Sequence, residues 1–155
     1  MANFAVNNIN AGAQQAVAAA YKSLITLAAG ATPKRIKLYD LLIGTNGTPA
    51  DNFMEWDISR VTAAGTGTAL TPNVLDAADS AALASSLANL TAEPTVTAAS
   101  SLFYVGVNQR ASYRWVAAPG SELVAPATTA SGFAIRTRSG GYTGTATAEA
   151  LFQEQ

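Results

Sequence analysis

The sequence predicts an all-β fold: a single-domain β-sandwich, jelly-roll-like, with at most one short helix, confined to residues 73–93. Three observations predict it. Seven or so short runs alternate apolar and polar side chains with period two, as strands with one buried face do. Clusters of Gly, Pro, Asn and Thr punctuate the runs. Helical segments do not alternate with the strands, which disfavours a parallel βαβ sheet, and no repeat recurs at a fixed period.

Residues 1–16, "MANFAVNNINAGAQQA", are polar, Asn- and Ala-rich and weakly patterned. They read as an N-terminal arm that orders on a neighbour, with Phe4 and Val6 as its contact residues, and residues 17–155 form the sandwich domain. In "YKSLITLAAG", Tyr21, Ser23, Ile25 and Leu27 fall on one face and Lys22, Leu24 and Thr26 on the other. In "KRIKLYDLLIG", Ile36, Leu38 and Leu42 oppose Arg35, Lys37 and Tyr39. "GTNGTPAD" stacks turn formers. "FMEWDISRV" is the cleanest strand: Met54, Trp56 and Ile58 face one way, Glu55, Asp57 and Ser59 the other. "TAAGTGTALTP" reads as a loop of small residues. Residues 73–93 are the helix candidate, with Asp76 as a cap and Leu83, Leu87 and Leu90 at i, i+4 and i+7; an extended surface insertion is the alternative. Four further strands follow. They are "SLFYVGVNQ", "ASYRWVAA" with Tyr113 and Trp115 on one face, "GFAIRTRS" with Phe133 and Ile135 opposite Arg136 and Arg138, and the Thr-rich "TGTATAEALFQ".

Composition excludes more chemistry than it suggests. With 155 residues the chain is long enough for one well-buried core. It is 49% hydrophobic and only 12% charged, about half the usual charged share, which suits a protein that packs against copies or partners. The net charge of −1 provides no basic field for nucleic acid. There is no Cys and no His, so thiolate nucleophiles, disulfides and every His-based triad are impossible. No apolar run approaches the length of a membrane span, and the N-terminus lacks the pattern of a secretory signal. The sequons at Asn46 and Asn89 read as chance matches in that context.

The remaining candidates are few. "GTGT" at Gly65–Thr68 lacks the Lys-Ser/Thr of a phosphate loop. Glu55 and Asp57 share a strand face and would make a glycosidase pair only with a second wall; the solvated face of an amphipathic strand is the simpler account. Asp76 and Asp79 fit a turn better than a calcium loop. Arg110, Arg114, Arg136 and Arg138 are read as candidate subunit or capsid contacts, pairing with acids across the sheet or across a subunit contact, with plain solvated surface as the alternative. Trp56, Trp115 and Tyr113 are read as core anchors. The chain is expected to be neither an enzyme nor a cofactor or metal binder.

Two stretches carry a resemblance. "EWDISRVTAAGTGTALTP" followed by "NQRASYRWVAAPGSELVAPAT" is similar to the small head decoration, or cement, proteins of tailed bacteriophages. It comprises an acid-Trp strand, an "AGTGT-x-x-TP" loop, and an "NQR-x-x-x-RW" strand ending in "APG". The similarity runs from about Arg35 to Glu154 and leaves out the N-terminal segment. It implies a jelly-roll-like sandwich that trimerises and binds the major capsid protein on the outside of a phage head, between capsomers, after synthesis in the host cytoplasm. It implies no cofactor, nucleic acid or membrane partner. Arg110 and Arg114 would then point outward, and "PGSELVAP" would be an exposed loop. The rival class is a tail-fibre receptor-binding or lectin-like module, whose only candidate patch is Asp51, Asn52 and Glu55 beside Trp56.

Overall fold

A computed structural model describes residues 1–12, 14–140 and 144–155; Ala13 of the expected arm and Thr143 of the last strand-like run lie outside them. Thirteen strands follow in chain order: β1 Asn3–Asn7, β2 Gln15–Ala16, β3 Lys22–Ala28, β4 Ile36–Asn46, β5 Phe53–Ala63, β6 Thr66–Leu70, β7 Asn73–Val74, β8 Ser85–Ala92, β9 Thr95–Asn108, β10 Tyr113–Val116, β11 Leu123–Ala125, β12 Gly132–Arg138 and β13 Thr145–Glu154. A single 3-10 turn spans Asn8–Ala11, and no α-helix occurs among the described residues. The protein is all-β, as the alternation predicts.

The strands form two antiparallel sheets. The first runs β10-β4-β13-β1-β7, with β11 also on β4 and β2 on β13; the second runs β6-β8-β3-β12-β5-β9. Their inner faces share one apolar core. From the first sheet come Phe4, Val6, Ile36, Leu38, Leu41, Ile43, Ala146, Ala148, Ala150 and Phe152. From the second come Leu24, Ile25, Leu27, Met54, Trp56, Ile58, Phe133 and Ile135. The alanines of β13 keep one wall of this core thin, so large residues opposite fill the space. Gly132 lies where a Cβ would stand 2.0 Å from the Leu27 carbonyl oxygen and 2.6 Å from Ala28 Cα. Only Gly lets β12 approach β3 so closely.

The expected N-terminal arm is corrected. β1 lies inside the first sheet, between β13 and β7, and Phe4 and Val6 are buried. Phe4 stacks on Phe152 with ring centroids 5.3 Å apart. Five residues with alternate side chains buried suffice once β13 supplies a partner. β2, at the end of the same segment, pairs with β13 as well.

Residues 73–93 contain no helix. β8 replaces it, pairing with β3 on one side and β6 on the other. Ser86, Ala88 and Leu90 are buried there at period two, whereas Leu83 is exposed. Asp76 caps a turn, its Oδ1 accepting from the Ala78 N–H at 3.0 Å. The expected loop at 62–72 supplies strand β6, and "PGSELVAP" supplies β11, whose Ala125 is fully buried. In each case an edge position on a waiting sheet outweighs the low intrinsic strand preference of small residues.

Two β-bulges reset the faces read from period two. In β4, Asp40 pairs with Leu151 and Leu38 with Phe152, so Tyr39 is the extra residue. Beyond it Leu41 and Ile43 turn inward, and Leu42 turns out to solvent. In β3, Ile25 pairs with Ile135 but Ser23 with Arg136, so Leu24 is extra. Ser23 therefore parts company with Ile25 and Leu27 and faces the outside of the second sheet beside Arg136.

Candidate functional site

The outer face of the second sheet carries a closed network of charges. Cross-strand pairing sets Arg136 opposite Asp57 and Arg138 opposite Glu55. Arg136 donates through Nε to Asp57 Oδ2 at 2.6 Å and through Nη2 to Ser59 Oγ at 3.0 Å. Asp57 also accepts from the hydroxyls of Ser59 at 2.6 Å and Ser101 at 2.5 Å, and it is only 3% exposed. Arg138 Nε donates to Glu55 Oε2, and Tyr104 Oη donates to Glu55 Oε1 at 3.0 Å. Both guanidinium groups lie over the Tyr21 ring, 4.5 and 4.8 Å from its centroid. Next to Tyr21, Glu93 closes the row by accepting from the Ser23 N–H at 3.0 Å and hydroxyl at 2.6 Å.

The electrostatics follow from this wiring. The Arg138 hydrogen bond holds the Glu55 carboxyl below the usual carboxylate range, and Tyr104 adds to the effect, while burial opposes them. The Tyr104 phenol is raised, chiefly by donating to Glu55. Burial raises Tyr21, and Glu55 and Asp57 add to it. The carboxylate pair proposed for glycoside chemistry is thus spent on arginines across a sheet face. A shallow cleft of about 270 Å³ beside it, lined by Phe53, Glu55, Arg138 and Ser139, brings no second acid or base to them.

The outer face of the first sheet differs. Arg114 donates in bidentate fashion to Asp40, Nε to Oδ1 at 3.0 Å and Nη2 to Oδ2 at 2.5 Å. That hydrogen bond raises the arginine further above its ordinary value. The bulge at Tyr39 brings the Asp40 carboxylate to this outer face, and β10 lays Arg114 over it. Around the pair lie apolar side chains left open among the described residues: Ile9, Leu42 and Leu75 are 56, 42 and 52% exposed. Leu42 lines two adjoining shallow clefts of about 260 and 410 Å³, the second floored by Ala5, Leu151 and Leu75 and rimmed by Arg114 and Glu149. This is an apolar surface with a charged rim.

The other expected residues separate. Trp56 is buried and anchors the core. Trp115 is half-buried, and Tyr113 sits at the surface at 37% exposure. Both pack on Phe103 of β9, with centroids 5.7 and 6.1 Å away, and close one flank between the sheets. Arg110 is exposed and pairs with Asp51 at 3.2 Å. Asp51, Asn52 and Glu55 do not gather about Trp56, whose ring is directed to the opposite face. Ile9, Leu42, Leu75 and Tyr21 were not legible as surface-site residues in the sequence. The one signal it held was an acid, Asp40, within the apolar run "LYDLLI". The Asn89 side chain is engaged within the fold: its Nδ2 donates to the Asn8 carbonyl at 3.3 Å.

Among the described residues no three acid, His or Cys side chains form a metal-holding group, and no helix is long and apolar enough to cross a membrane. Fold and surface together define the class: a two-sheet β-sandwich with internally paired charges and one uncovered apolar face. No protein-family model matches this chain, and neither a curated protein nor a solved structure does.

Proposed function

We propose that this chain is a structural decoration protein of a tailed-phage head: a jelly-roll-like sandwich that trimerises and binds the major capsid protein on the outer surface, between capsomers. It acts as a brace on the virion exterior, not as an enzyme. The observation that carries the reading is the uncovered apolar face of the first sheet, where Leu42, Leu75 and Ile9 surround the Arg114–Asp40 pair. A surface of that composition fits a protein partner better than a small substrate, because apolar area supplies binding energy and the charged rim sets register. The choice of the major capsid protein as partner rests on the resemblance of the "EWDISRVTAAGTGTALTP" and "NQRASYRWVAAPGSELVAPAT" stretches to those of phage decoration proteins.

The test is co-sedimentation of the purified protein with expanded, undecorated phage heads. Wild type is expected to pellet with the heads at a saturating ratio, and Leu42→Asp with Leu75→Asp to bind at least about tenfold more weakly. Equal binding by that variant removes the proposed face, and no binding to heads by wild type removes the decoration reading. The receptor-binding alternative needs an exposed aromatic beside acids and amides. Trp56 is buried, and among the described residues Phe53 and Tyr104 are the exposed aromatics beside Glu55 that are left to it; binding on a glycan array would favour it.

A further inference from the structure

We infer that copies of this chain join through the second sheet, the open edge of β9 pairing with the open edge of β6 on the next copy. The inference deepens the trimer reading above by naming the surface through which subunits meet.

β9 is an unusual edge. It is 14 residues long, "TVTAASSLFYVGVN", with no charged residue and no proline. Proteins that keep a sheet edge to themselves shorten it, twist it away or place Lys or Pro on it. The first sheet does so: its outermost strands are β7 and β2, of two residues each, β11, of three, and β10, of four with Arg114 among them. In β9 the register shifts fall opposite Ile58–Ala63, and the segment from Phe103 to Asn108 runs in regular pairing with β5. The Gln109 N–H bonds the Asn52 carbonyl at 2.8 Å, so Gln109 and Asn52 are a hydrogen-bonded pair of that ladder. Antiparallel ladders alternate. Val107 and Val105 therefore turn their backbone groups to β5, while Tyr104 and Gly106 turn theirs outward. Those two N–H and two C=O groups meet no strand among the described residues. Tyr104 and the adjacent Phe53 are each 56% exposed, so apolar area accompanies the open ladder.

The opposite edge of the same sheet matches it. β6, "TGTAL", also lacks charge and proline, and its small side chains admit close approach. Every neighbouring pair in this six-stranded sheet is antiparallel, so β6 and β9 run in opposite directions. Rotating a copy about an axis along the strands keeps those directions. It brings β9 against a neighbour's β6 in antiparallel pairing, continuing the alternation of the sheet. Pairing of β9 with another β9 would instead require a twofold axis across the strands. The contact is heterologous, and such contacts close into rings when the rotation allows, which agrees with a trimer.

The experiment is amide hydrogen exchange on the intact protein, with light scattering across a dilution series. The expected result is a trimer in which the Tyr104 and Gly106 amides exchange at least about 100-fold more slowly than in the diluted monomer. Val105 and Val107, bonded within the chain, should change little. Tyr104→Pro removes the outward N–H together with the phenol bonded to Glu55 and should shift the mass to monomer, whereas Tyr104→Ala and Tyr104→Phe, which keep the N–H, should leave it trimeric. A chain that stays monomeric overturns the pairing, as does a trimer whose Tyr104 and Gly106 amides exchange rapidly; should Tyr104→Pro fail to fold, the wild-type exchange still decides. Trimers with slow amides that ignore phage heads would sink the decoration reading alone. Monomers that bind heads would sink the strand pairing alone.

Discussion

Replacing Arg136 with Met tests whether the outer face of the second sheet is structural. Asp57 is 3% exposed and keeps two hydroxyl donors, Ser59 and Ser101, when the guanidinium is gone. Loss of one partner from a buried pair costs about 3–5 kcal/mol, because the remaining charge is left desolvated. The two serines and the 20% exposure of the Arg136 side chain bring this case just below that range, to about 2–3 kcal/mol. In a chain of this size that is a fall of roughly 4–12 °C in Tm. Asp57→Asn combined with Arg136→Met removes both charges and should recover more than about 1 kcal/mol of that loss, a coupling beyond additivity. The assay is urea unfolding followed by the fluorescence of Trp56 and Trp115, with the denaturant slope checked for constancy. If the single variant costs less than about 0.5 kcal/mol, or the double is additive, Asp57 is not held by Arg136 and the network has no structural role.

Glu55 gives a pH signature. Its folded carboxyl is held below the ordinary range by Arg138, so its stabilisation is present above the unfolded value of about 4.3 and is lost as pH falls through the lower folded value. Urea midpoints taken from about pH 6 down to pH 3 should fall for wild type, and Glu55→Gln should lack that part of the fall; parallel curves would refute it. Phe152→Ala, at a fully buried site stacked on Phe4, should cost about 3–5 kcal/mol by calorimetry or urea unfolding. Asn8→Ala should cost about 2–4 kcal/mol in the same assay, because Asn8 Oδ1 accepts from the Ala148 N–H at 2.9 Å and its Nδ2 donates to the Ala146 carbonyl at 3.0 Å, both buried.

Much of the architecture was legible in the residues. β5, β12 and β13 alternate cleanly because each has one face on the core and a partner strand on both sides, so every second position had to be apolar. The cross-strand ion pairs were half legible. Arg136 and Arg138 on one strand and Glu55 and Asp57 on another were visible as polar faces, but which strands lie side by side is a long-range matter. Leu42 was placed on the wrong face because a one-residue bulge at Tyr39 inverts everything after it, and period-two reading has no memory of such an insertion.

The N-terminal segment and residues 73–93 show the same division. In isolation "NFAVN" is too short, and "SSLANLTA" too poor in β-branched residues, to commit to strands. Each becomes one because a neighbour offers an unpaired ladder and an apolar surface: β13 for the first, β3 and β6 for the second. By itself the sequence determined the all-β class, the apolar identity of the inner faces, and the absence of His and Cys chemistry, since composition and local period carry that information. The tertiary structure alone decided which charges pair, which apolar residues stay uncovered and which sheet edges remain open, because these depend on strands adjacent in space and distant along the chain.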